Sequence, residues 1–306
     1  RAGVDIYPDP PGTKTENAKN YVTYLGGSSA NMGVQLTNHG GLCSLLTRVS
    51  NDALGKFILN QLDYYGVKRN LIKFENNESR ISFAIVETTV EDHQSIIYRH
   101  KASDLFLNKH DIENANIDKY DCILITGTSL AAEPSRSSVL YALKIAKKNN
   151  IPVIMDIDYR PYTWESEDKA KEIYNLAALN CSGIIGNDDE FAVLSGNYKE
   201  GLEYAKKLSS DCDLVIYKMG EKGSITYANN KEINKGIFQV KPLKPTGAGD
   251  SFMGSLIGAL LNNYDLDKSL EIGSAAAAIV VTKVGCAPAM PNLEDILEFM
   301  QTNKIN

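Results

Sequence analysis

Lys244-Pro-Thr-Gly-Ala-Gly-Asp250-Ser-Phe-Met-Gly254 is the stretch from which the rest of the chain is read. Gly247, Ala248 and Gly249 form a turn of small residues just before a run in which Phe252, Met253, Leu256, Ile257 and Leu260 recur at helical spacing. Small residues leave backbone N–H groups unhindered. The first turn of a helix has N–H groups without intrahelical partners, and with the helix dipole these make an anion site. Asp250 falls in that first turn. A carboxylate there does not help to hold an anion, but it is well placed to take a proton from an attacking hydroxyl. The same aspartate also reads as a helix N-terminal cap. Two other phosphate signatures are absent: there is no G-x-x-x-x-G-K-[ST], and position 252 is Phe where the dinucleotide fingerprint has its third glycine. P-loop nucleotide hydrolysis and nicotinamide-dependent dehydrogenation both lose ground.

Outward from this stretch, short apolar runs alternate with longer helical ones. Val4 to Tyr7, Leu42 to Val49, Cys122 to Thr126, Pro152 to Ile157, Gly183 to Gly186 and Leu214 to Lys218 read as strands, rich in Ile, Val and Leu and bounded by Gly, Asp or Asn. A helix is predicted from about Glu133 to Lys148, with Val139, Leu140, Leu143 and Ala146 on one face, and another after Gly249. The last 55 residues read as largely helical. Alternation of this kind predicts an α/β fold of βαβ units with a mostly parallel sheet covered on both sides, whose ligands bind at the carboxyl ends of the strands. Two segments depart from it. Pro8 to Tyr24 starts Pro-rich and ends strand-like, and Ile81 to Arg99 reads as a hairpin around Glu91-Asp-His. They read equally as excursions at a sheet edge or as a small β lid.

The 306 residues, 43% of them hydrophobic and 23% charged, suit one large or two smaller globular domains. A formal charge of −6 argues against nucleic acid, which needs a basic face. Five scattered cysteines with no C-x-x-C pair suit free thiols in a reducing cytoplasm. No apolar run reaches the ~20 residues of a membrane span. The opening Arg1-Ala-Gly-Val-Asp-Ile-Tyr does not read as a signal peptide, and a few residues are expected before Arg1.

A second segment, Gly26-Gly27-Ser-Ser-Ala-Asn31, joins the first excursion to a helix start. Its glycines permit close backbone approach, and Asn31 offers both a donor and an acceptor to a polyhydroxylated ligand; a glycine turn with a serine cap is the plainer reading. Together, Gly26-Gly27 through Asn31 and on to Gly40, and Thr246-Gly-Ala-Gly-Asp250, resemble the two motifs of the PfkB, or ribokinase-like, family of carbohydrate kinases. The resemblance extends through Asp5, Asn187-Asp-Asp-Glu190, Lys218-Met-Gly220-Glu-Lys-Gly223 and Ala275 to Thr282. It implies a three-layer α/β/α core with a mostly parallel central sheet and a small β-sheet lid. On that basis 1–306 is a single kinase domain, with the core at 1–11, 25–80 and 100–306 and a discontinuous lid at about 12–24 and 81–99. It also implies ATP as phosphoryl donor with Mg2+, and a homodimer formed through the lid.

The resemblance assigns roles as well. Asp250 would be the general base, and Gly247, Ala248 and Gly249 the backbone donors to the transferred phosphoryl. Asp5, Gly26, Gly27 and Asn31 would bind the sugar. Asn187 and Glu190 match an N-x-x-E element that organises Mg2+ and the triphosphate through water; without the family they read as a capped helix start. Lys218, Gly220 and Gly223 would lie along the nucleotide, and Ser274 near the adenine. Where family members usually have D-T-x-G-A-G-D, this chain has Lys244 and Pro245 in the first two places. In many relatives that first Asp helps to hold an activating monovalent cation. Lys244 would stand in for the ion, so no monovalent cation is expected to be required; a solvated loop lysine is the alternative.

Arg99, on the lid hairpin, and Arg160, in Asp158-Tyr-Arg-Pro-Tyr-Thr-Trp164 after a strand end, offer planar guanidinium forks suited to a carboxylate, though either could serve a surface ion pair. Two at such places point to an acidic sugar. Arg1 to Asp5, Tyr24 to Gly27, Asp158 to Trp164 and Lys244 to Asp250 further resemble the inositol-catabolism subgroup of the family, which phosphorylates the 6-hydroxyl of a keto sugar acid. Kinases of 2-keto-3-deoxygluconate and of fructose are the neighbouring alternatives. A sugar- or nucleotide-binding regulator without catalysis is the reading from another class, and Asp250, the glycine turn and the Asn187/Glu190 pair speak against it.

Overall fold

Val4 and Ile6 alternate with Asp5 and Tyr7 along the first strand, β1 (Gly3–Asp9), which lies inside a four-stranded sheet. The computed structural model describes Arg1–Asn306, and the chain forms two units: Arg1–Asp104 with Ile237–Asn306, and Leu105–Gly236. In the first unit β1 is followed by β2 (Asn20–Gly26), α1 (Ser28–Asn38), β3 (Arg48–Ser50), α2 (Ala53–Tyr64), β4 (Lys73–Glu75), β5 (Ser82–Val86) and β6 (Ser95–Tyr98). The sheet order is β2-β1-β5-β6, with β1 antiparallel to β2 and parallel to β5. One face of it packs Tyr7, Ala84 and Val86 against Val22, Tyr24, Ile97 and Val284.

The second unit runs α3 (Lys109–Ala115), β7 (Ile123–Thr126), α4 (Ser135–Lys148), β8 (Val153–Asp156), α5 (Glu167–Ala178), β9 (Gly183–Asn187), α6 (Asp188–Ser195), α7 (Gly201–Leu208), β10 (Leu214–Lys218), β11 (Ser224–Ala228) and β12 (Lys231–Lys235). Its six strands are ordered β12-β11-β10-β9-β8-β7. β7 to β10 are parallel; β11 and β12 continue the sheet antiparallel. All four residues of β8 and the first four of β9 and β10 are buried, which is why these strands read as continuous apolar runs rather than alternating ones.

The chain closes the first unit with α8 (Ala248–Leu261), α9 (Leu266–Val281) and α10 (Leu293–Thr302). α8 lies close against α1, because a β-carbon on Gly254 would fall 2.6 Å from Gln35 Cβ and one on Gly258 2.7 Å from His39 Cβ. Ser251 Oγ donates to Gln35 Oε1 at 3.2 Å, and His39 Nε2 pairs with Ser255 Oγ at 3.1 Å across the same seam. No helix is long and apolar enough to cross a membrane.

The structure departs from the sequence reading in three places. Of the Leu42–Val49 run, only Arg48 and Val49 enter a strand, β3; Leu42 stays 80% exposed, and the run finds just an isolated bridge, Ser44 to Lys68, before it. The β11–β12 hairpin goes unread, although Asn229 and Asn230, with φ of 51° and 58°, supply the left-handed pair that tight hairpins use. And β1, assigned to the core apart from a lid, shares its sheet with β2, β5 and β6. Apolar alternation shows that a strand has a buried face but does not say which strand it pairs with.

Candidate active site

In the first unit the glycine turn and α8 build as read. Gly247 caps the helix at φ 91°, in the left-handed region, and a β-carbon there would fall 2.9 Å from Cys286 Sγ. The first i→i−4 bond of the helix is Ser251 N to Gly247 O at 3.0 Å, so the N–H groups of Ala248, Gly249 and Asp250 precede the ladder. Beside them Asn31 Nδ2 donates to Asp250 Oδ2 at 2.8 Å.

Asp5 projects from the inner face of β1 and is 8% exposed. Tyr7, two residues on and so on the same face, donates its hydroxyl to Asp5 Oδ2 at 3.4 Å. Burial pushes the Asp5 carboxyl up to about 6, against the opposing pull of Arg1, the Tyr7 hydroxyl and Lys244. Gly26 has to be glycine here, since a β-carbon on it would run into the Asp5 carboxylate. Gly27, at φ 93°, brings its backbone against Ala2.

Lys244 is not a loop lysine in solvent. It is fully buried, with Nζ donating to Thr246 O at 2.6 Å and to Val280 O at 3.3 Å. Burial draws its ammonium below the ordinary lysine value, opposed by Cys286, Asp5 and Asp250. Burial also pushes the Cys286 thiol up to about 12, so at neutral pH it is uncharged and the counter-charges are Asp5 and Asp250. The ammonium thus feels the charge of two carboxylates, one of them in the first turn of α8. Ser274 sits half-buried on α9.

Arg99 is placed differently from the sequence expectation. Its guanidinium is held by Asp104, with Nε to Oδ2 at 3.1 Å, and both side chains are 3% exposed. The pair draws Asp104 below the ordinary carboxylate range against the effect of burial, and Arg99, just after β6, is committed to a buried ion pair. Nothing in the sequence marks Asp104 as its partner.

The second unit carries its own cluster at the carboxyl ends of β8 to β10. Asn187 and Glu190 cap α6 reciprocally: Glu190 N donates to Asn187 Oδ1 at 2.9 Å and Asn187 N to Glu190 Oε2 at 2.8 Å. Tyr159 N adds a bond to Glu190 Oε1 at 3.2 Å. Burial raises the Glu190 carboxyl, and Lys218 is the largest opposing influence. Lys218 Nζ stands 3.7 Å from Asp156 Oδ1. Arg160 pairs with the buried Asp158 at 2.7 Å while its own side chain stays 41% exposed. Gly220 (φ 56°) and Gly223 (φ 84°) turn the chain from β10 into β11, closed by Met219 N to Gly223 O at 2.8 Å. No group of three or more His, Cys, Asp or Glu side chains is arranged to hold a metal ion.

The signature of the pfkB family carbohydrate kinases matches residues 3–293. The chain belongs to that family. It is 35% identical over 310 residues to the 5-dehydro-2-deoxygluconokinase of Photobacterium profundum, covering 99% of this chain and 94% of that protein. The 5-dehydro-2-deoxygluconokinase of Geobacillus kaustophilus is 34% identical, covering 94% of this chain and 88% of its own. Among solved structures, fructokinase from Vibrio cholerae O395, with fructose, ADP and calcium ion bound, superposes with a TM-score of 0.86 at 24% identity over 98% of this chain and 96% of that one. Aminoimidazole riboside kinase from Salmonella enterica, complexed with its riboside and an ATP analog, gives 0.81 at 23% identity, over 98% and 97%. The fold of this pfkB-family chain is therefore ribokinase-like.

Proposed function

We propose that this kinase transfers the γ-phosphoryl group of ATP to a primary hydroxyl of a keto sugar acid, and that the sugar is 5-dehydro-2-deoxygluconate, phosphorylated at its 6-hydroxyl. The observation that carries the chemistry is Asp250 in the first turn of α8, next to N–H groups that precede the helix ladder. The hydroxyl proton passes to the Asp250 carboxylate as the hydroxyl oxygen bonds to the γ-phosphorus, and the bond from that phosphorus to the bridging oxygen breaks to release ADP. The N–H groups of Ala248 and Gly249 stabilise the charge on the phosphoryl oxygens. Asp5, Gly26, Gly27 and Asn31 are assigned to the sugar.

Lys218, Gly220, Gly223 and Ser274 are assigned to the nucleotide, and Asn187 with Glu190 to Mg2+ through water. The donor set suits that role: both Glu190 oxygens already accept backbone N–H groups, which fixes the carboxylate without using all its lone pairs. Mg2+, when bound, would neutralise charge on the triphosphate. Lys244 fills by its ammonium the place of a monovalent cation, supported by its two carbonyl partners and its nearness to Asp5 and Asp250.

The acidic substrate is supported by the names of the relatives above and by Arg160. Of the two arginines expected to meet a carboxylate, Arg160 keeps solvent exposure and Arg99 does not. A phosphorylation panel of 5-dehydro-2-deoxygluconate, 2-keto-3-deoxygluconate, fructose, ribose and adenosine with Mg·ATP tests the reading. The highest kcat/KM is expected for the first, and preference for a neutral sugar would overturn the carboxylate argument.

Asp5 makes this activity pH-dependent. It accepts sugar hydroxyls best when ionised, and its carboxyl titrates at about 6. KM for the sugar is expected to rise as pH falls from 7 to 5 while KM for ATP stays level, and a flat sugar KM would remove Asp5 from the site. Stability runs the other way. A folded value above the ordinary 3.8 means that the contribution is fully present below 3.8 and lost as pH rises through about 6. At pH 7 the buried charge opposes folding by on the order of 3 kcal/mol, and Asp5→Asn, which removes that charge together with a counter-charge of Lys244, is expected to weaken sugar binding.

A further inference from the structure

We propose that Asn31 is a positioning residue for Asp250: its side-chain amide holds one carboxylate oxygen and so decides which oxygen of the base meets the sugar hydroxyl. This rests on the reading of Asp250 as the base. A carboxylate only accepts hydrogen bonds, so the NH2 end of the Asn31 amide is the end that faces Asp250 Oδ2, at 2.8 Å. That fixes the amide's orientation and leaves Oδ1 facing elsewhere. Asn31 is 3% exposed, and its Oδ1 is buried and accepts no bond within the chain. A buried acceptor left unpaired costs about 1–3 kcal/mol, and a hydroxyl of the bound sugar would satisfy it. Sugar, amide and base then form one chain of hydrogen bonds, the sugar O–H donating to Asn31 Oδ1 and Asn31 Nδ2 donating to Asp250 Oδ2.

The two residues are 219 positions apart and hold their distance because α1 and α8 are locked together. The close approaches at Gly254 and Gly258 and the bonds Ser251 to Gln35 and Ser255 to His39 leave the helices little freedom to slide. An amide does not titrate near neutral pH, so it donates to Asp250 throughout the working range and favours the ionised carboxylate.

The experiment measures kcat, both KM values and the pH profile of kcat for Asn31→Ala and Asn31→Asp, and repeats Asn31→Ala in an Asp250→Asn background. Asn31→Ala is expected to lower kcat about 10- to 100-fold, part of what a general base supplies, with KM for ATP unchanged. The acidic limb of its kcat profile moves to higher pH. Asn31→Asp keeps the shape of the side chain, sets a second negative charge against the base, and moves that limb further. In the Asp250→Asn background Asn31→Ala lowers kcat little more, since the group it orients is gone. A rise in sugar KM with an unmoved pH profile, or a full multiplicative loss in the Asp250→Asn background, would overturn the proposal and leave Asn31 as a sugar contact. Wild-type turnover in Asp250→Asn alone is a different result, one that overturns the base and the positioning role with it.

Discussion

Asp250→Asn is expected to lose about 10²–10⁴ in kcat, the range that a general base contributes, while binding of a non-hydrolysable ATP analogue stays within a few-fold of wild type. The side chain keeps its size and its place in the first turn of α8, and the glycine turn ahead of it is untouched, so the N–H groups assigned to the phosphoryl remain. What goes is the ability to take a proton. An amide in place of the carboxylate also turns the 2.8 Å contact with Asn31 from a charge-assisted bond into a neutral one, which weakens positioning but not folding. Single-turnover rates and analogue affinity separate the two effects. Turnover within ten-fold of wild type would place the base elsewhere, and loss of analogue binding in parallel with kcat would mean that the variant disturbs the anion turn instead.

Lys244→Met carries the second large effect. Methionine has nearly the length of lysine, but it leaves Thr246 O and Val280 O without their donor and leaves Asp5 and Asp250 without the ammonium that offsets their charge. Removing one member of a buried charge set costs about 3–5 kcal/mol, which for a protein of this size lowers Tm by on the order of 10 °C. Activity falls with it, because the Thr246 carbonyl lies just before the Gly247 cap and is held by the lysine. On the proposal that the Lys244 ammonium takes the place of a monovalent cation, an added alkali cation changes little. Rates in potassium chloride and in tetramethylammonium chloride of equal ionic strength are expected to match. Strong activation by potassium, or a Lys244→Met variant as stable and active as wild type, would show that the ammonium fills no structural role there.

These expectations draw on readings of different origin. The glycine turn, Asp250 and the helix behind them are legible because they are contiguous: a small-residue turn followed by helical periodicity sets N–H directions and the position of a first-turn carboxylate whatever packs around them. Asn187 and Glu190 are legible in the same way, since a capping box closes within four residues. The parallel strands β8 to β10 show themselves through unbroken apolar runs. The ion pair of Arg99 is not legible, because a guanidinium just past a strand looks the same in sequence whether solvent or Asp104 receives it. For Lys244 the sequence leaves a cation's substitute and a solvated side chain both open, and only its full burial removes the second.

The sequence by itself determined the family, from short motifs and their order along the chain, the α/β class, from alternating apolar and helical runs, and the local chemistry of the α8 start, from contiguous residues. Tertiary structure decided which charges are desolvated and what answers them. Asp5 is raised to about 6, Lys244 is enclosed by carbonyls, Arg99 is committed to Asp104, and Asn31 reaches Asp250 across 219 residues. Desolvation depends on every element packed around a group, and those elements come from distant parts of the chain that no local spacing records.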